Sequence, residues 1–197
     1  GASPGTTFTA REYASLEPSM SIPTPPLPPQ LMLSVLSSSW RDFHSRLLDL
    51  LTRRLGPVDF RSPPLAFTET SYYDAELGTP ITREILGFES LVPPEQLADI
   101  KLETNALEQQ FLQTRDRRIF NLDPGLVFLE RLVLATGKNF SHRIYLGKGI
   151  WADLTLLYQK GAWRSLPWTF PDYAGPAIQE VLSQLRSRYQ IKIKQNC

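Results

Sequence analysis

Cysteine is nearly absent. The one present, Cys197, is the last of 197 residues, which excludes an internal disulfide framework and a zinc site built on paired thiolates. Histidine is almost as scarce, with His44 and His142 the two present, so a Cys-His nucleophile pair has no material. No apolar run reaches the ~18 residues of a membrane span, and the N-terminus has no charged segment followed by an apolar one. These absences together predict a chain of the reducing cytosol with no membrane partner. The compact signatures of common enzymes are missing as well: there is no GxxxxGK[ST], no strand-borne GxGxxG, no HExxH, no GxSxG and no Cys-x-x-Cys. Charge of one sign is also lacking. With 21 basic and 20 acidic residues the formal net charge is +1, which argues against a nucleic-acid partner held by bulk electrostatics.

Apolar material is sufficient. Hydrophobic residues make up 42% and aromatics 11% of the chain, and at this length a fold buries roughly 70% of its unfolded surface. The charges are unevenly placed. Residues 69–108 carry nine acids against Arg83 and Lys101, a balance of −7, whereas residues 109–197 balance at +7. Either the two regions attract each other in the fold, or the basic half orients an anionic ligand. Seven of the 17 prolines fall in residues 1–30, so that stretch reads as an extended or disordered leader. A single domain over 31–190 and a short tail over 191–197 follow.

Hydrophobic spacing predicts the elements. Leu31 to Leu36 reads as a central strand, followed by a helix with a capping-box-like start at Ser39 and Asp42. Its stripe is Trp40, Phe43, Leu47, Leu50 and Leu51, it ends at Gly56-Pro57, and His44 falls inside that stripe. Strands are expected at 58–60 and 65–70, split by Pro63-Pro64. The order then repeats: a strand over 85–91, a helix from Pro93-Pro94 to about Phe111, a strand over 118–122 and an apolar segment over 126–135. Asp123-Pro124 has the character of a helix start, so that segment is expected to begin as a helical turn. A meander closes the fold, with strands at 142–146, 150–158 and 163–166, an irregular stretch around Pro167 and Pro171, and a helix on Ile178, Val181, Leu182, Leu185 and Tyr189. The prediction is an α+β fold: a mainly antiparallel sheet with helices packed on it and a repeated βαββ order.

The words NLDPG (121–125), SHRIYLGKGI (141–150) and LPWTFPDY (166–173), with ADIKLETNALE (98–108) upstream, resemble the bacterial family catalogued as domain of unknown function 4416. The resemblance runs from about Leu31 to Arg188. Some members of that family carry a GTP-binding label, for which this chain has no phosphate loop. Trp151 and Asp153 stand where the family pattern has Tyr and Glu. The resemblance implies kinship and no established activity.

The residues themselves suggest chemistry. If Gly147-Lys148-Gly149 is a three-residue loop, Tyr145 opposes Trp151 and Arg143 opposes Asp153 on one face, with His142, Ile144, Leu146, Ile150 and Leu154 on the other. A two-residue loop would break this parity. That face is either a solvated aromatic and ion pair or a site in which Arg143 grips a phosphate or carboxylate. On the helix after Pro94, Lys101 and Glu108 flank the core stripe and need partners, for which Asn121 and Asp123 are the candidates. Tyr72 and Tyr73 either staple their loop or line a pocket.

Two functions are weighed. In the first the chain binds a small anionic, phosphorylated or nucleotide-like metabolite, with or without catalysis. Arg143, Lys138 and Lys148 then grip the anion, Lys101, Asn121, Asp123 and Tyr145 line the site, Asp153 or Glu108 acts as base and His142 carries protons. In the second it is a non-catalytic protein-interaction domain with Trp151, Trp168 and Tyr173 as aromatic anchors. The first reading expects Asp123, Lys101, Glu108 and Arg143 to converge. No residue pattern specifies a cofactor, a metal or an oligomeric state.

Overall fold

An apolar run without alternation belongs where both faces of a sheet are covered. The computed structural model describes residues 22–114 and 117–195, except the side chains of Asp42 and Phe43, and places the first run in that setting: β1 (Gln30–Ser37) is buried at every position. Residues 22–29 carry no regular structure; the leader before them lies outside the described residues.

Helix α1 (Trp40–Leu55) buries Leu47 and Leu51 and stops at Gly56, whose φ of 91° only glycine adopts readily. The expected capping box is not formed. Ser39 sits at the N-cap without a side-chain cap bond; its own N–H donates to Ser37 Oγ at 2.9 Å instead. There follow β2 (Val58–Arg61), β3 (Leu65–Ala66), a turn of helix α2 (Asp74–Leu77) and β4 (Thr82–Leu91). β3 stops four residues short of the expected Thr70. After a 3₁₀ turn comes α3 (Leu97–Gln110), then β5 (Leu112–Thr114), β6 (Arg117–Arg118), β7 (Asn121–Val127), β8 (Arg131–Thr136), β9 (Arg143–Gly147), β10 (Ile150–Gln159) and β11 (Ala162–Ser165). The stretch around Pro171 is not wholly irregular, because Pro171 opens the short helix α4 (Pro171–Ala174) at a position that needs no N–H. Helix α5 (Pro176–Gln195) closes the fold on the five stripe residues read from the sequence.

Nine strands form one sheet in the order β11-β10-β8-β7-β1-β4-β2, with β3 on β4 and β9 on β10. All its pairings are antiparallel. The repeated element order becomes two interleaved split β-α-β units. β1-α1-β2 straddles β4, and β4-α3-β7 straddles β1. Leu31, Leu33, Val35 and Leu122 pack with α1 and α3 on one face. Met32, Ile85, Leu134 and Leu156 pack with α5 on the other. Among the described residues no helix is long and apolar enough to cross a membrane.

The sheet opens between β7 and β8. Asp123-Pro124 starts no helix; both lie inside β7. β7 meets β8 only over Gly125–Val127, and a Cβ at Gly125 would stand 2.9 Å from Val133 O, so this approach needs glycine. Strand alternation turns the N–H and C=O of Leu122 away from β1, and Pro124, two residues on, faces the same way with no N–H to offer. The ladder therefore ends there and the two strands fork.

Candidate functional site

The open edge of β7 at the fork is satisfied by side chains. Leu122 N–H donates to Glu108 Oε1 at 2.6 Å, and Lys101 Nζ donates to Leu122 O at 2.9 Å. Two residues of α3, two turns apart on one helix face, thus stand in for the missing strand. Lys101 also reaches Asp123 Oδ1 at 2.9 Å, and Asn121 Nδ2 donates to Asp123 Oδ2 at 2.6 Å. Arg118 spans Glu108 Oε2, at 2.6 Å, and both oxygens of Glu76. Beside them Arg83 pairs with Asp172 between the rings of Phe67 and Tyr173. Burial pushes the Glu108 carboxyl up against the opposing pull of Lys101 and Arg118. Burial acts on Asp123 in the same sense, but Lys101, Asn121 and Arg83 overcome it and hold that carboxyl below its ordinary value.

A second group lies across the fork. Asp153 of β10, Leu134 of β8 and Gly125 of β7 stand in one row, so Asp153 projects on the α5 side, two strand spacings or about 10 Å from β7. Asp153 Oδ2 accepts from Arg143 Nε at 2.8 Å and meets His142 Nε2 at 3.0 Å, and its Oδ1 accepts from Thr155 Oγ1 at 3.2 Å. Arg143 Nη1 donates to Lys138 O, and Nη2 has no protein acceptor among the described residues. The His142 ring stacks on Trp168, 4.8 Å between centroids and 13° between planes, with Phe140 edge-on at 5.5 Å. Trp168 is itself fixed by its Nε1–H, which donates to Leu154 O at 2.7 Å. A carboxylate oxygen facing Nε2 assigns the hydrogen to that nitrogen. In the neutral ring Nδ1, buried and without a partner among the described residues, is left as a lone-pair acceptor.

The groups adjoin through tyrosine. Lys138 Nζ reaches Tyr72 OH at 3.1 Å, and Tyr72 meets Tyr73 edge-on at 5.0 Å. The Tyr73 phenol is pushed up by burial first and by Asp123 second.

Lys101, Glu108, Asn121 and Asp123 thus converge, whereas the convergence expected of Arg143 with them is not found: it bonds Asp153 and Lys138 instead. The hairpin keeps the expected facing pairs, Tyr145 with Trp151 and Arg143 with Asp153, by another route. Lys148 and Gly149, both at positive φ, form a two-residue turn, and a bulge at Leu146 restores the parity that such a turn alone would break. His142 does not lie opposite this face. It sits in the turn before β9 and swings onto Asp153. Lys148 bonds to neither group and is paired with Asp99 of α3 at the surface. Tyr145 and Trp151 pack on each other at 4.9 Å. Tyr173 is no exposed anchor, being 4% exposed beneath Arg83, and its phenol is pushed up to about 12 by burial.

The sequence reading missed Arg118, Glu76, Arg83 and Asp172. For Arg83 a signal existed: it and Lys101 are the only bases in residues 69–108, and both prove to be buried and paired. Two surface depressions lie elsewhere, one of about 410 Å³ beside Asp59, Arg188 and Lys192, the other of about 540 Å³ between Arg53 and Glu103. Among the described residues no three His, Cys, Asp or Glu side chains group so as to hold a metal ion.

Comparison with known proteins gives kinship alone. The model of the family described as Domain of unknown function (DUF4416) matches residues 28–189, and the chain belongs to that family. No curated protein and no solved structure matches it.

Proposed function

We propose that this member of the DUF4416 family binds a small anionic ligand, phosphorylated or nucleotide-like, at the His142, Arg143, Asp153 and Lys138 group. The observation that carries the reading is the local charge. The network around Asp123 holds carboxylates in excess, with Lys101 and Arg118 set against Asp123, Glu108 and Glu76. Beside His142, by contrast, Arg143 meets the carboxylate of Asp153 and holds the main-chain carbonyl of Lys138, whose ammonium reaches no carboxylate and rests on Tyr72. An anion completes the second group and is repelled by the first. The uncommitted Nη2 of Arg143 and the exposed ammonium of Lys138 supply its donors, while Phe140 and Trp168 offer apolar walls.

A thermal-shift series with sugar phosphates and nucleotides tests this. A ligand at 100 times its dissociation constant stabilises by roughly 2.7 kcal/mol, and Lys138→Met, an exposed change, reduces the shift. No rise in Tm with any of these compounds overturns the reading. A second reading, a protein-interaction domain, is favoured by Ile144, Tyr145 and Leu146 of β9, which are 71%, 56% and 41% exposed. It expects Ile144→Asp to abolish self-association or partner capture while leaving the phosphate shifts unchanged.

A further inference from the structure

Resting on the anion-binding reading of the His142 group, we propose that the ligand carries a hydroxyl beside its anionic group, and that this hydroxyl donates to Nδ1 of His142. The chemical class is a phosphorylated polyol or sugar.

The donors and acceptors of the site are unequally committed. Arg143 Nη2 and Lys138 Nζ are donors, suited to phosphate oxygens. Both oxygens of Asp153 already accept protein hydrogen bonds. The uncommitted acceptor is His142 Nδ1, on a side chain only 8% exposed and fixed by Asp153 on one edge and Trp168 on one face. In the neutral ring the tautomer follows from that geometry: with the hydrogen on Nε2, Nδ1 takes a hydrogen bond and cannot give one. A phosphate monoester dianion without hydroxyl groups has acceptors only, and would leave Nδ1 unpaired. An unpaired buried acceptor is the situation in which a binding site discriminates most strongly between an alcohol and its deoxy analogue.

Phe140 is the exposed aromatic neighbour of the imidazole. That ring is 62% exposed, lies on the segment between β8 and β9, and meets the imidazole edge-on. The opposite wall, Trp168, is pinned to Leu154 O.

The test compares glycerol 3-phosphate and ribose 5-phosphate with hydroxyl-free propyl phosphate by calorimetry, on the wild-type chain and on His142→Phe, which retains an aromatic ring against Trp168. The expected result is roughly tenfold tighter binding of the hydroxylated phosphates to the wild type, with that preference erased in His142→Phe. A second measurement does not depend on the variant's folding. The chain has only two histidines, so the imidazole ¹⁵N signals of wild type are readable, and the unprotonated nitrogen of His142 shifts on adding glycerol 3-phosphate but not propyl phosphate. Equal affinities in the wild type, a preference that survives in His142→Phe, or an unmoved Nδ1 signal overturns the hydroxyl contact while leaving anion binding intact. If none of the three phosphates binds, this inference falls, and if the nucleotides of the thermal-shift series fail as well, the anion reading falls with it.

Discussion

Asp123 and Glu108 both lie within one network of Lys101 and Arg118, yet their acidities move in opposite directions. For Glu108 burial outweighs its cations. For Asp123 the ammonium of Lys101, the Asn121 amide and the nearby Arg83 outweigh burial. The signs of the linked stability differ accordingly. A depressed native value means that Asp123 contributes stability above the unfolded carboxyl range near 4, lost as pH falls through the native value. The raised value of Glu108 gives a contribution fully present below that range and lost as pH rises through the native value. Asp123→Asn leaves the Lys101 ammonium, 9% exposed, without its counterion. Because 32% of the Asp123 side chain is open to water, the expected loss at pH 7 is about 2–3 kcal/mol, below that of a fully buried pair. Urea unfolding from pH 7 to pH 3 should show the gap between variant and wild type closing below about pH 4; a gap independent of pH contradicts the account. That Lys101, Glu108 and Asp123 meet was legible, since a charge beside core positions demands partners. That Arg118 completes them was not. Nothing in its charge-dense surroundings separates a buried arginine from a solvated one.

Among elements, the β9–β10 hairpin shows how a sequence pattern is met by a different backbone. The alternation of Arg143, Tyr145, Trp151 and Asp153 demands one parity whatever the turn, and the bulge at Leu146 supplies it. The turn type was illegible because Gly147, Lys148 and Gly149 permit several loops, and only the register with β10 selects among them. The fork was likewise hidden, since Pro124 inside a strand contradicts the usual position of proline. It is tolerated here because its bare nitrogen faces a gap that α3 fills. Lys148 holds a φ of 55°, a region costing a non-glycine residue roughly 1–2 kcal/mol and tolerated better by asparagine. Its bond to Asp99 joins side chains 60% and 58% exposed and is worth little. Lys148→Asn is therefore expected to stabilise by about 0.5–1 kcal/mol, read as a higher urea midpoint at unchanged slope. A lower midpoint would mean that the ion pair outweighs the backbone strain.

Across the whole molecule, the acidic middle and the basic end of the sequence are joined by ion pairs of unequal weight. Arg118, from the basic end, holds Glu76 and Glu108 of the acidic middle, with side-chain exposures of 20%, 34% and 8%. Lys148 and Asp99 join the same two regions in open solvent. The first junction sits where α2, α3 and β6 meet, beside the fork. The second merely ties a hairpin tip to α3. Screening separates them, because salt weakens pairs in water far more than pairs withdrawn from it. Arg118→Met leaves the Glu108 carboxylate buried without its guanidinium, so the expected loss is about 3–5 kcal/mol and nearly the same in 0.05 M as in 0.5 M salt. Asp99→Asn should cost under about 1 kcal/mol at low salt and nothing measurable at high salt. Denaturant melts of both variants at the two ionic strengths check this. If Arg118→Met is mild, or if salt abolishes its effect, the junction is solvated and the two charged regions merely lie near each other. If the loss is large and salt-independent, the opposed balances along the sequence have a structural cause: the acidic middle supplies carboxylates to a buried seam that arginine from the basic end must close.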